Sequence, residues 1–124
     1  MIQATGTFEV QLTPQEDTGA PAGRMIIAKT YLGEMAGTGT GQMISKRIEN
    51  GVAVYYAIEE FADSLNGKSG GFTLIHRGFM SSESQSLDIT ILEGSGTDEL
   101  ESVSGRMLIT QDADGHRYEL SFEL

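Results

Sequence analysis

The chain has 124 residues, with 18 acidic and 8 basic side chains giving a net charge of -10, 16 glycines, no cysteine and no tryptophan. That length fits one domain, residues 1-124, without an internal linker, and the missing cysteine excludes disulfides and thiol catalysis. The acidic balance would repel a phosphate backbone or an anionic membrane surface, so no nucleic acid partner is expected.

The opening MIQATGTFEV has no basic segment ahead of an apolar stretch, and no run approaches the ~20 apolar residues of a membrane span. A soluble, cytoplasmic protein without membrane insertion is expected. A period of two then dominates. Strands are predicted at 6–12, 25–32, 40–48, 52–61, 71–80, 86–92, 103–110 and 116–124, where residues alternate or are β-branched and aromatic. Gly33-Glu34, Asn50-Gly51, Asn66-Gly67 and Asp114-Gly115 suit two-residue hairpins, because these residue types tolerate positive φ. Helical signal is confined to one possible turn at 97–100, where Thr97 can cap and Asp98 and Glu99 suit the dipole. About eight antiparallel strands with short turns close most economically into an all-β, up-and-down barrel, which removes exposed edges.

Hairpin turns fix register and therefore faces. A turn at Asn66-Gly67 sets Phe61 opposite Phe72, Glu59 opposite Leu74 and Ala57 opposite His76, making Glu59 and His76 diagonal neighbours about 7 Å apart. A turn at Asn50-Gly51 sets Gln42 opposite Glu59 and Lys46 opposite Tyr55, and a turn at Gly33-Glu34 adds Met25, Ile27, Lys29 and Tyr31 to the same face. Gln42, Tyr55, Glu59 and His76 thus converge, with Lys29 further along. A turn at Asp114-Gly115 pairs Met107 with Phe122, Ile109 with Leu120 and Gln111 with Tyr118, leaving Asp112 and Arg117 together outside. With Phe8, Val10, Leu12, Leu87, Ile89 and Ile91, these residues form an oily half of the interior. For strands 25–80 both faces are mixed, and pattern alone places either one inside.

The stretches GTFEV, GEMAGTGTGQM, YYAIEEF, NGKSGGFTLIHRG, EGSGTDELESVSG and DGHRYELSFEL cover nearly the whole chain. They resemble a bacterial domain family of unknown function grouped with the allene oxide cyclase-like, calycin-like barrels. The motif around Tyr55, Ala57 and Glu59 and the Gly-x-Phe-x-Leu-x-His pattern ending at His76 are shared. The resemblance implies that the Glu59/His76 face points inward. It departs at Asp98 and Ser102, where glycine is usual in the family. Allene oxide cyclases act on a fatty acid epoxide mainly by shaping it, so the likeness implies fold and ligand class, with a trimer suggested.

Other motifs carry no chemistry. GTGTG at 37–41 lacks the Lys-Ser/Thr ending of a phosphate loop and reads as a strand with Gly37, Gly39 and Gly41 on one face, easing curvature. DADG at 112–115 lacks the remaining calcium ligands, and the acids in EGSGTDEL at 93–100 oppose an anion. His76 and His116 are far apart in sequence, so neither a metal nor another cofactor is expected.

Three readings follow. Glu59 and His76, with Gln42 and Tyr55, form a structural polar plug, since a buried charge must be paired. Alternatively Lys29, Gln42, Tyr55, Glu59, His76 and Tyr118 line a site for a small amphipathic or lipid-like ligand, its head on the polar wall and its tail toward Phe8, Leu120 and Phe122. In the third, a cyclase or isomerase uses Glu59 as base or electrostatic stabiliser and His76 or Tyr55 as acid. An inward polar face leaves Ile26, Met43, Val54, Tyr56, Ile58, Ile75 and Phe79 as an outer apolar stripe, from which a homo-oligomer, dimer or trimer, is expected.

Overall fold

The computed structural model describes all residues, 1–124. Its strands are β1 (Ile2–Gln15), β2 (Gly23–Gly33), β3 (Met35–Arg47), β4 (Ala53–Leu65), β5 (Lys68–Met80), β6 (Gln85–Ile91), β7 (Ser104–Asp112) and β8 (Gly115–Glu123). Each pairs antiparallel with the next, and β8 returns to β1, closing the barrel. A single 3-10 turn, Asp98–Leu100, lies in the β6–β7 connection; Thr97 precedes it, but its hydroxyl accepts the Gly71 N–H at 2.9 Å instead of capping. No helix is long and apolar enough to cross a membrane.

The hairpins decide which side chains face in. At Asn66-Gly67 the expected register is found, with Phe61 opposite Phe72, Glu59 opposite Leu74 and Ala57 opposite His76. At Asn50-Gly51 it is not. The loop spans Ile48–Val52, held by Gly51 N–H to Ile48 O at 3.0 Å and Ile48 N–H to Val52 O at 2.9 Å. An odd loop shifts the ladder by one residue, so Gly41 faces Glu59, Ser45 faces Tyr55, and Gln42 meets Ile58 on the outside. The Gly33-Glu34 reversal slips by one as well, placing Met25 opposite Met43 and Lys29 opposite Gly39. The two slips flank β3 and cancel across it, so Lys29 still shares the inner face with Glu59. At the last hairpin the turn residues are Ala113 and Asp114, two positions of register from the expected pairing: Met107 meets Leu120, Ile109 meets Tyr118 and Gln111 meets His116. An even slip preserves faces, and the Arg117–Asp112 ion pair forms at 3.0 Å regardless.

Inward side chains differ along the barrel axis. At the end holding the chain termini, Tyr31, Met35, Phe61, Leu65, Phe72, Leu74, Leu100, Leu120 and Phe122 fill the interior. Tyr118 closes that end: its hydroxyl accepts the Met35 N–H at 2.8 Å and faces the Leu32 and Met35 carbonyls at 3.1 Å. At the other end the inner faces of β3 to β5 carry small residues, Gly41, Ser45, Ala53, Ala57 and Gly78. Small residues there leave the mouth hollow. The β6–β7 ladder also stops after Ile89–Met107 and Thr90–Arg106, so Leu87 and Ile109, the next inward residues toward the mouth, stand apart.

Candidate functional site

Two features meet the requirements of a site: a buried polar cluster midway down the barrel and the hollow mouth. The cluster is built on Glu59, which is 0% exposed. Its Oε1 accepts Lys29 Nζ at 3.0 Å and His76 Nε2 at 2.9 Å, while Oε2 accepts a short hydrogen bond from the Tyr31 hydroxyl. Lys29 Nζ lies 3.4 Å from that hydroxyl and 4.7 Å above the centre of the Phe8 ring, a cation–π contact. Phe8 in turn stacks on His116 with centroids 5.0 Å apart.

Strand chemistry explains the placement. Lys29 and Tyr31 alternate onto one face of β2, Glu59 projects from β4 and His76 from β5. Between them β3 presents Gly37, Gly39 and Gly41 inward, so the carboxylate occupies space that side chains would take; a Cβ on Gly39 would collide with Glu59 Oε2. Desolvation pushes the Glu59 carboxyl up, yet the His76 hydrogen bond, the Lys29 charge and the Tyr31 hydrogen bond outweigh it and hold the group down at about 2. Burial, then the neighbouring carboxylate, pushes the Tyr31 phenol far up, so it stays a donor. Lys29 and Glu59 neutralise each other, and no buried side-chain polar atom is left without a partner. No group of three or more His, Asp or Glu side chains is arranged to hold a metal.

Of the residues expected at the site, the structure brings together Lys29, Glu59 and His76 and separates the rest. Gln42 is exposed on the outer face, because the odd β3–β4 loop turns β3 by one residue. Tyr118 belongs to the closed end, and its hydroxyl is consumed by backbone groups. Tyr55 faces inward nearer the mouth, its ring lying over Gly78, where a Cβ would collide with it. The expected tail region around Phe8, Leu120 and Phe122 is packed core. Met43 leaves the outer stripe for the interior by the same β3 shift. Sequence alternation sets Tyr31 on the Lys29 face without a role and reads Gly39 only as easing curvature; the alternation of Tyr31 with Lys29 is the available signal for the missing donor.

The mouth encloses about 590 Å³. Its inward apolar lining is Met43, Ala53, Tyr55, Met80, Leu87 and Ile109, with Ser45, Arg47 and Gln85 adding polarity, while Lys46, Val54, Phe79 and Ser86 border it at the rim from a row that alternates onto the outer face. None of Lys29, Tyr31, Glu59 and His76 lines it. Burial raises the Tyr55 phenol, which therefore remains a hydrogen-bond donor on the cavity wall.

The profile of the family described as "Protein of unknown function (DUF3224)" matches residues 4–123. The chain belongs to that family. A search of curated proteins found no match. Among solved structures, the chain is similar to the crystal structure of a DUF3224 protein of unknown function from Shewanella oneidensis MR-1. The two are 36% identical with a TM-score of 0.92, covering 100% of this chain and 97% of that one. The DUF3224 barrel is thus seen in a second, clearly diverged sequence.

Proposed function

We propose that this bacterial DUF3224 protein is a cytoplasmic binding protein that takes a small amphipathic ligand into the open end of its barrel. One observation carries the reading: an apolar cavity of about 590 Å³ at the mouth, within the ~300–1,000 Å³ of small-molecule sites. An eight-stranded barrel has room for one such ligand unless side chains fill it, and here Gly78, Ala57 and Ala53 leave the room at one end only. The Glu59 cluster lies deeper in the barrel than this site and does not line it. Every donor on its carboxylate comes from the protein, and none of the cluster reaches the cavity wall. This supports the structural role for Glu59 and His76 over acid–base catalysis, which requires contact with a substrate proton. Likeness to allene oxide cyclases favours a lipid-like ligand by analogy of fold alone.

Amide chemical-shift mapping with decan-1-ol, which has no charged head, tests the cavity. Saturable shifts at Met43, Tyr55, Leu87 and Ile109 are expected, with Leu120 and Phe122 silent. Shifts absent altogether, or centred on Lys29, Glu59 and His76, would reverse the assignment.

A second reading concerns assembly. Ile58 is 57% exposed and Tyr56 50%, and they lie beside Ile26, Val54, Ile75 and Phe79 on the outer sheet. Exposed apolar side chains in adjoining rows favour an interface, and we propose contact with a second copy of the chain. Sedimentation of Ile58→Lys against the unaltered chain checks it: a shift toward monomer is expected, and a protein that is monomeric throughout removes the proposal.

A further inference from the structure

The charge distribution around the mouth narrows the ligand class, an inference that rests on the cavity reading above. The chain carries 18 acidic and 8 basic residues. No Asp or Glu lines the cavity itself, the nearest in the chain being Glu49 and Glu83 in the loops beyond its rim, whereas Lys46 and Arg47 both border it.

Arg47 holds the decisive position. Pairing runs from Arg47 to Ala53, from Ala53 to Met80 and from Met80 to Gln85, so these four residues form the last rung of the ladder on the mouth side across β3 to β6. Nearby cations are already engaged: Arg24 with Asp17 at 2.8 Å and Arg117 with Asp112 at 3.0 Å. Arg47 has no carboxylate partner, and Lys46 donates only to the Pro21 carbonyl at 3.0 Å. A planar guanidinium at the lip of an apolar cup, free of internal counterions, matches a carboxylate in bidentate fashion, while Lys46, directed to the outer face and to the Pro21 carbonyl, adds positive charge at the rim.

We propose that the mouth binds a single-chain anionic amphiphile, its carboxylate or equivalent oxyanion held at Arg47, with Lys46 adding positive charge at the rim, and its apolar chain lying against Tyr55, Leu87 and Ile109. The ligand is thus oriented head outward, the reverse of a head seated on the Glu59 cluster. The overall charge of -10 opposes any anion at long range, so a preference for anions must arise from these local donors.

Titration calorimetry below the micellar range, comparing decanoate, decan-1-ol and decyltrimethylammonium, tests this. Decanoate should bind at least tenfold more tightly than either analogue, and Arg47→Gln should bring decanoate within about twofold of decanol. Both rim side chains are exposed, so the variants should fold, which circular dichroism verifies. Equal affinity for decanoate and decanol, or an unaltered preference in both Arg47→Gln and the Lys46→Gln/Arg47→Gln double variant, overturns the anionic-head assignment while the cavity stands. Binding of none of the three overturns the cavity reading and this inference with it.

Discussion

Gly39 faces the Glu59 carboxylate so closely that any side chain at position 39 would occupy the place of Oε2, with the Tyr31 ring 2.9 Å from the same point. The glycine on β3 and the acid on β4 are therefore one feature: the absent Cβ makes the pocket in which the carboxylate collects its donors. Gly39→Ala is expected to cost about 1–3 kcal/mol, the range for overpacking a tight interior. Thermal or urea unfolding would measure it. An unchanged midpoint would mean that the carboxylate has room elsewhere.

Removing the charge of Glu59 should be worse than removing the pair. Glu59→Gln leaves Lys29 buried against Phe8 without its counterion, a change that costs roughly 3–5 kcal/mol. Replacing both, as Lys29→Met with Glu59→Gln, leaves no lone charge and should recover a substantial part of that loss. Equilibrium unfolding of the two single variants and the double variant completes the cycle. Strictly additive costs would show that the pair is not coupled.

Acid should expose the same group. In the folded chain the Glu59 carboxyl is lowered from an ordinary 4.5 to about 2. A depressed folded value contributes stability that is fully present above 4.5 and is lost as pH falls toward 2, because the unfolded chain takes up the proton first. The unaltered protein should therefore lose stability steeply across that interval, and Glu59→Gln, though weaker at neutral pH, should show a flatter slope there. Denaturant midpoints at pH 5, 4 and 3 decide the matter, and parallel slopes would contradict the assignment.

Gly78 sets the shape of the mouth as Gly39 sets the cluster. A Cβ at position 78 would strike the Tyr55 ring, so Gly78→Ala should push the phenol into the cavity. Decanol affinity is expected to fall by about tenfold, corresponding to 1.4 kcal/mol, while acid behaviour stays unaltered because Tyr55 makes no contact with Glu59. Loss of decanol binding together with an altered acid transition would instead indicate that the mouth and the cluster are one unit.

The strands, their antiparallel order and the barrel were legible because alternation and short turns leave few other closures. Glu59 beside His76 was legible because Asn66-Gly67 is a true two-residue turn whose register is unambiguous. Gln42 and Met43 were misplaced by a single residue: the loop after β3 is odd, and Asn50-Gly51 gives no sign that Ile48 and Val52 leave the ladder. Lys29 survived because the reversal before β3 slips by the same amount. Tyr31 was hidden for another reason, since a tyrosine on an inward face serves equally as core packing, and only the fold shows its hydroxyl on Glu59. The cavity depends on the taper of small residues across three strands and on the parting of β6 from β7, both properties of the closed sheet and of no single segment.

The placement of the ligand is tested most directly by a crystal structure of the protein soaked with decanoate. Density running from the Arg47 side chain down between Tyr55, Leu87 and Ile109 is the expected result. Density seated against Glu59 and His76, or a mouth that stays empty at saturating decanoate, would contradict it.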